Sequence, residues 1–552
     1  MKKYLALIFI LILAFALRVP FLDKFPAGLN ADEAAIGYND YSLLKTGRDE
    51  HSASWPLVFR SFDDYKPAGY FYLALPFVAT LGLNVWAVRL PSALLGVVSV
   101  LFVYLLVNKL FQKQNSKVSI GLIAALFIAI SPWHIHFSRG GWEANAASVL
   151  MLIGLYYLIK SLDNSKYFFI TTLTFVYSIY TYHSLRVVIP LVFICFLIIY
   201  FEPIKKIFQN SSSRKNILFS VFLGVLLLIP LLLQFTSAEG RSRFSGVSVF
   251  ADSGPLWEAL ELRREDNSSL FAKVVHNRYV TYSYRFAKNY LEHYSPRFLF
   301  ITGDEIARSK VPGMGQAYLW TAPFLILGLY FIFSKKTKES SLVVCWFFIA
   351  PLAAALTFQS PHALRAQNMV YPLTIISAIG AYETFLFLIS KKINTVVLYL
   401  LYILFSILGL YEVGRYLHEY YIHYPKELPY AWQYGFDQIG SYAKIHYDQY
   451  DHIIISDRYD QPYILTAFFT NYQPSVLQKE IKLTPRDKFG FSTVTDFGKY
   501  QFHKIDFAKD SQSPNTLIIV ADESAPDNLA VDRVLDPAGK AMYRIFDTNK
   551  LK

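Results

Sequence analysis

Residues 216–235 read NILFSVFLGVLLLIPLLLQF, without one charged side chain. An apolar run approaching 20 residues is what a helix needs to cross roughly 30 Å of hydrocarbon. Comparable runs recur along the chain, among them YLALIFILILAFAL (4–17) and VVLYLLYILFSILGLY (396–411). Across 552 residues the composition is 54% hydrophobic and 17% charged, whereas soluble domains carry about 25% charged residues. The chain reads as a polytopic membrane protein. Its opening MKK plus apolar run has no small-residue cleavage site after it, so an uncleaved first helix is expected rather than a signal peptide. Cys195 and Cys345 both lie inside apolar blocks, which argues against a disulfide framework.

The formal charge of +12 is placed as membrane topology places it. Basic residues fill short breaks between apolar blocks: Lys109, Lys113 and Lys117; Lys160 and Lys166; Lys205, Lys206, Arg214 and Lys215; Lys335, Lys336 and Lys338; Lys391 and Lys392. Only Asp163, Glu202 and Glu339 oppose them there. This is the asymmetry of cytoplasmic loops, and no nucleic-acid partner is expected. Eleven spans are expected, near residues 4–22, 87–108, 118–134, 146–162, 166–183, 186–202, 215–235, 316–334, 341–357, 369–390 and 393–413. YFYLALPFVATLG (70–82) is too short to span and reads as re-entrant or interfacial. With that reading Lys2, Lys3 and all five basic loops share the cytoplasmic side. External segments are then 23–86, 134–145, 236–315, 358–368 and everything after about 414. Asp32, Glu33, Lys66, Arg139, Glu143, His362 and Arg365 all fall on that outer side.

The last stretch changes character. HIIISD (452–457), TLIIVAD (516–522) and AMYRIFD (541–547) are short β-branched runs bounded by turn residues. AWQYGFDQIGSYAKIHY (431–447) has helical spacing. The expected fold is mainly α: a transmembrane helical bundle over 1–420, followed by a small extracytoplasmic α/β domain over 421–552.

Ionisable residues near lipid are costly, so a cluster on one face suggests a function. Each also has a plain structural reading. In NADEAA (30–35), Asn30 or Asp32 can cap a helix whose first turn favours acids. Lys66 in DDYKPAGYF (63–71) can snorkel to the interface or hold a phosphate. His362 and Arg365, three residues apart, share one helical face and suit a phosphate or the interface equally. Arg139 and Glu143 in SRGGWEAN can pair with each other. His134 and His136 lack a third ligand nearby and read as interfacial structural residues, not a metal site. No G-x-S-x-G, Walker A or G-x-G-x-x-G in strand–helix context appears, and Gly313 and Gly315 in VPGMGQAY precede a span. An ATP-driven pump and a cytosolic nucleotide-sugar donor are therefore not expected.

The ordered set NADEAAIGYNDYSLLKTG, DDYKPAGYFYLALP, VWAVRLPS, SPWHIHFSRGGWEANAASVL and SPHALRAQNMVYPL resembles the GT-C membrane glycosyltransferases. The family in question includes protein O-mannosyltransferases and lipid A aminoarabinose transferases. YLEHYSPRFLFITGDEIARSKVPGMGQAYLWTAPFLILGLY (290–330) and WQYGFDQIGSYA (432–443) resemble its bacterial members. The resemblance implies a plasma-membrane enzyme that moves a sugar from a polyprenyl-phosphate donor to an acceptor glycan, lipid or protein on the outer face. By position, Asp32 matches the first-loop catalytic aspartate and Glu33 its acidic neighbour. Lys66 matches the donor-phosphate lysine, with Asp64 the acid preceding it. Glu143 falls near the second-loop acid, and Arg365 with His362 fits the late-loop cation. The first loop lacks D-x-D, and the outer domain is unlike the β-trefoils of eukaryotic protein mannosyltransferases.

In mechanism, Asp32 is expected to act as general base in an inverting attack, with Lys66 and Arg365 on the leaving phosphate. Two cations match the phosphate, so no cofactor is required, while a divalent metal is left open. Trp55, Tyr65, Tyr70 and Trp142 are candidate sugar-stacking rings. The competing class is a transporter or flippase of lipid-linked sugars, which would place its polar residues near the bilayer midplane in repeated halves. Neither feature is seen.

Overall fold

The computed structural model describes residues 2–111, 119–236, 248–391, 393–487 and 491–551. Lys113, Lys117, Lys392 and positions 237–247, the start of the segment expected to be a long external loop, lie outside the described residues. Among the described residues five helices are long and apolar enough to cross a membrane: Val85–Leu110, Ser211–Gln234, Lys338–Ala355, Gln367–Ser390 and Thr395–Glu427. Two bent pairs, Ile120–Ile130 with Pro132–Ser138 and Leu185–Ile199 with Phe201–Gln209, raise the number to as many as seven. The other expected spans fall on helices that are shorter or more polar, such as Lys2–Arg18 and Tyr167–Thr181. The 70–82 piece forms the short apolar helix Gly69–Leu81.

The chain divides into two compact units, neither of which is one continuous stretch. The first comprises Met1–Arg18, Leu94–Ser138 and Glu143–Leu417; the second comprises Val19–Ala93, Arg139–Trp142 and His418–Lys552.

The first unit is helical. Its opening helix α1 (Lys2–Arg18) ends in an arginine that reaches one of the bends, which Pro132 makes by opening the second helix of the pair. Arg18 donates to the carbonyls of Ala129 at 2.8 Å and Ile128 at 2.9 Å. These belong to the last turn of helix Ile120–Ile130, where the Ser131 N–H also reaches the Ile128 carbonyl at 3.4 Å and where the helix dipole favours a cation. The chain turns there by 58°. Arg18 also donates to His134 Nδ1 at 2.9 Å, so His134 Nε2 carries the proton offered to Ser99 Oγ at 3.1 Å and Tyr371 at 3.3 Å. His136 Nε2 meets the Arg308 carbonyl at 2.9 Å. Helices Ala322–Lys335 and Val370–Ser390 pack closely through Gly328 and Gly380. A Cβ on either would overlap a backbone carbonyl of the facing helix, Ile376 or Phe324 respectively. Small residues permit such backbone approach between apolar helices.

The second unit joins the segment Val19–Ala93 to the C-terminal region. Helix α2 (Ala31–Thr46) starts with a capping box between Asn30 and Glu33 and ends at Gly47 in the left-handed conformation. A hairpin follows: β1 (Val58–Ser61) pairs antiparallel with β2 (Asp64–Pro67). Its two-residue turn has positive φ at Phe62 and Asp63, which matches the right-handed twist of the strands. Helix α3 (Gly69–Leu81) and the first residues, to Ala93, of helix α4 (Val85–Leu110) come next. The C-terminal strands are β3 (His452–Ser456), β4 (Asp496–Phe497), β5 (Tyr500–His503), β6 (Thr516–Val520), β7 (Asp532–Leu535) and β8 (Ala541–Asp547). They form one mixed sheet in the order β4-β5-β3-β6-β8-β7, with β3 parallel to both β5 and β6. Ile454, Ile518, Val520 and Phe546 build its core with Ile505. Helix α2 packs on Pro462–Thr470 and Pro474–Glu480, and Tyr38 donates to the Tyr472 carbonyl at 3.0 Å.

Replacing Gly380 by Leu should destabilise the first unit by at least the about 1–3 kcal/mol typical of an overpacked core. Thermal unfolding in detergent checks this, with Gly414→Ala, where a Cβ meets nothing within 4 Å, expected to unfold as the wild type does.

Candidate functional site

The adjacent acids Asp32 and Glu33, in the first turn of α2, have opposite surroundings. Glu33 is fully buried and every face of its carboxylate is used. Arg89 grips it in a fork, Nε to Oε1 at 2.8 Å and Nη2 to Oε2 at 2.8 Å. The Gly141 N–H donates to Oε1 at 2.7 Å, and the Asn30 backbone and side-chain amides donate to Oε2 at 3.3 and 3.1 Å. The remaining N–H groups of Arg89 go to the carbonyls of Leu22 at 2.7 Å, Pro26 at 2.9 Å and Gly28. All five guanidinium donors are thereby satisfied, and the cation lies 5.4 Å from the Trp432 ring centre. Gln433 extends the fixation by accepting from the Ala31 N–H at 2.7 Å. Glu33 is thus a structural anchor, with no lone pair left for a substrate proton.

Asp32 keeps 28% of its side chain accessible, and the Lys66 ammonium sits on its Oδ1. Lys66 comes from β2, opposite Phe59. Its side chain is only 7% exposed, and its nitrogen is 5.0 Å from the centre of the Phe62 ring. The hairpin that presents it is clamped at its turn. Asp63 holds Arg60 at 2.8 Å and also Arg486, and the Phe62 carbonyl accepts from the Ser492 N–H at 3.0 Å. Asp64 lies two residues from Lys66 on the same strand, so the two share a face; it is half-buried and accepts from the Tyr65 N–H at 2.9 Å.

Two further acids stand behind this pair. Asp40 is fully buried, neither carboxylate oxygen has a hydrogen-bond partner among the described residues, and burial drives its carboxyl well above the usual range. Glu50 is pushed up to about 8 by burial, partly offset by Asn39, Lys66 and Tyr463. Asn39 donates to Oε1 at 3.0 Å and Tyr463 to Oε2 at 3.4 Å. At about 8 Glu50 holds its proton at neutral pH, and the Lys66 ammonium pairs with Asp32.

The other expected residues separate. Arg139 belongs to the second unit, where it is fully buried. It donates to the carbonyls of Pro20 at 2.9 Å and Phe25 at 3.0 Å and lies over the rings of Tyr420 and Tyr421. Glu143 is buried at the start of helix Glu143–Lys160 in the first unit. His362 and Arg365 also belong to the first unit. His362 is buried with Nδ1 3.7 Å from Asp304 Oδ2, and Arg365 is half-buried one turn further on. Asp304 accepts from the N–H groups of Ala363 at 2.6 Å and Ile306 at 2.9 Å, and burial lifts it to about 6. Two of the candidate sugar-stacking rings are corrected. Tyr70 is buried with its hydroxyl on the Val88 carbonyl, and Trp142 is buried edge-on against Trp432. Trp55 is exposed and stacked with Tyr72.

Arg89 and Asp304 were not singled out from sequence. The one signal for Arg89 is an arginine four residues into an apolar helix, where only a buried carboxylate would repay its desolvation.

Residues 65–233 match the family model described as dolichyl-phosphate-mannose-protein mannosyltransferase. Among solved structures, ArnT from Cupriavidus metallidurans in the apo state is similar at a TM-score of 0.52 and 10% identity, covering 99% of this chain and 98% of that one. The Archaeoglobus fulgidus oligosaccharyltransferase tethered to an acceptor peptide with the NVT sequon is similar at a TM-score of 0.50 and 11% identity, covering 84% of this chain. The chain spans 62% of that protein's length. No curated protein matches the sequence. The likeness to ArnT shows a shared fold, that of the GT-C membrane proteins: a polytopic helical bundle with a small C-terminal sheet region.

Arg89→Met, which strands the Glu33 charge, should cost about 3–5 kcal/mol. The double variant Arg89→Met/Glu33→Gln should recover part of that loss in the same unfolding assay. Glu50 gives a pH test. Its ordinary value is 4.5 and its folded value about 8, so between those limits the folded state holds a proton that the unfolded state has released. Its stabilising contribution is therefore complete below about pH 4.5 and falls until about pH 8. Glu50→Gln should flatten the decline in melting temperature between pH 5 and 8, and a wild-type slope retained in the variant would refute this.

Proposed function

We propose that the chain is an inverting glycosyltransferase that moves a sugar from a polyprenyl-phosphate donor to an acceptor hydroxyl on the extracytoplasmic face. The observation that carries this is the Asp32–Lys66 pair: an accessible carboxylate, at a helix start held rigid by Glu33 and Arg89, meets a buried ammonium. The family model matched over residues 65–233 is described by a polyprenyl-phosphate sugar donor, which supports the donor class.

In this reading the donor phosphate competes with Asp32 for the Lys66 ammonium. As the ammonium turns to the phosphate, Asp32 is released to accept a proton. The acceptor oxygen attacks the anomeric carbon from the face opposite the phosphate and its proton passes to Asp32. The sugar–phosphate bond breaks and the polyprenyl monophosphate leaves with the electron pair. A base in hydrogen-bond reach contributes about 10²- to 10⁴-fold. A fixed cation in a desolvated site stabilises the charge that develops on the leaving group. Arg365, assigned on its place in the late external loop, supplies the second positive charge, with His362 orienting that loop through Asp304. Asp64 and Glu143 are supporting acids, and Glu33 and Arg139 hold backbone in place. Trp55 and Tyr65 are the rings proposed for the sugar. The reading requires no cofactor.

Asp32→Asn should lower the rate of polyprenyl phosphate release in reconstituted vesicles by about 10²-fold or more, while donor binding tightens because Lys66 no longer has a competing carboxylate. Lys66→Ala should weaken donor binding. Normal turnover in Asp32→Asn would remove the base assignment, and movement of intact donor between leaflets without bond cleavage would turn the reading to a flippase.

A further inference from the structure

His418, Glu419 and His423 each offer one ligand atom, and these atoms lie within 4.8 Å of one another. The two imidazole centroids are 4.7 Å apart. The backbone accounts for the convergence. Helix Thr395–His418 passes into a π-helical turn, Glu419–His423. In an α-helix residues five apart are rotated by about 140° and face apart. A π turn, hydrogen-bonded i to i+5, brings the fifth residue back over the first, and such turns are rare and gather at functional places. The turn follows the apolar run that ends at Tyr411, within the tyrosine-rich stretch YLHEYYIHYPKE (416–427). His418 is exposed there, while Glu419 and His423 are half-buried.

We propose that these three side chains bind one divalent first-row transition ion, with Zn²⁺ the natural occupant. Two imidazole nitrogens and one carboxylate oxygen supply three ligands, and exposure at His418 leaves the fourth tetrahedral position to water. A mixed nitrogen and oxygen set suits Zn²⁺ and its neighbours rather than Mg²⁺ or Ca²⁺, which favour oxygen ligands alone. The ion's role is positional. The same turn carries Tyr420 and Tyr421, on whose rings Arg139 lies at 5.5 and 5.4 Å. Tyr421 and Ile422 also line a cavity of about 410 Å³ whose wall includes Phe25, Ala27, Gly28 and Leu29, the segment leading into the α2 cap. Locking the turn would fix that wall. No step of the proposed transfer passes through the ion, so this inference stands or falls apart from the proposed function.

The test uses the full chain in detergent, stripped with a chelator and titrated with Co²⁺ and then Zn²⁺. One saturable equivalent is expected, with the visible absorption of tetrahedral Co²⁺, displaced by Zn²⁺ and not by equal Mg²⁺. Glu419→Gln should weaken binding by about tenfold or more, and His418→Ala/His423→Ala should abolish it. Zn²⁺ should raise the melting temperature of the wild type alone. If the double variant does not fold, the single variants His418→Gln and His423→Gln carry the same expectation. Equal binding by wild type and variants, no saturable site in the wild type, or equal displacement by Mg²⁺ would each overturn the proposal.

Discussion

A fully buried carboxylate gripped by a fully buried guanidinium sits at the start of α2, and the second unit is organised around it. Removing two charges from water costs several kcal/mol each. Here the cost is offset because nothing is left unsatisfied: Glu33 takes donors from Arg89, Gly141 and Asn30, and Arg89 serves the Glu33 carboxylate and three backbone carbonyls. Those partners come from the loop at 22–28, from α4 and from the short segment 139–142. One ion pair thereby fixes three stretches of chain far apart in sequence, and so fixes the direction in which the next residue, Asp32, points.

The consequence is a division of labour between adjacent acids. On a helix neighbours differ by about 100° in direction, so the carboxylate at 33 can be locked inward while the one at 32 stays accessible. Lys66 approaches from a hairpin whose turn is itself clamped by Arg486 and by the backbone at Ser492. Glu50, pushed up to about 8 by burial, adds little negative charge near Lys66 at neutral pH, and the ammonium rests on Asp32. A cation and an anion are held face to face at an opening, which is the arrangement a phosphate-bearing substrate can rearrange.

Much of this was legible in the residues. The Asn30 cap and the β-branched runs at 452–457, 516–522 and 541–547 are local signals, and each reappears as the expected element, whereas Lys205, Lys206, Arg214 and Lys215, expected in a loop, lie in helices. The number of clean spans did not follow. Helix Ile120–Ile130 ends before Pro132, which breaks it locally, and Arg18, more than a hundred residues upstream, holds its terminal carbonyls there; hydropathy registers neither. Tyr70 and Trp142 looked like accessible rings because aromatic residues in external loops commonly are. Burial against Val88 and Trp432 is a property of the packing alone. The convergence of His418 with His423 was likewise hidden, since α-helical spacing sets positions five apart on different faces.

By itself the sequence determined what is written in composition and short-range order: a polytopic apolar chain, a helix beginning at Asn30, a lysine placed before Pro67, and a C-terminal α/β region. Only the tertiary structure decided which of two neighbouring acids is available. That choice rests on Arg89, 56 residues from Glu33 in the chain. A buried charge is tolerated only beside a complete set of partners, and those partners are assembled by folding.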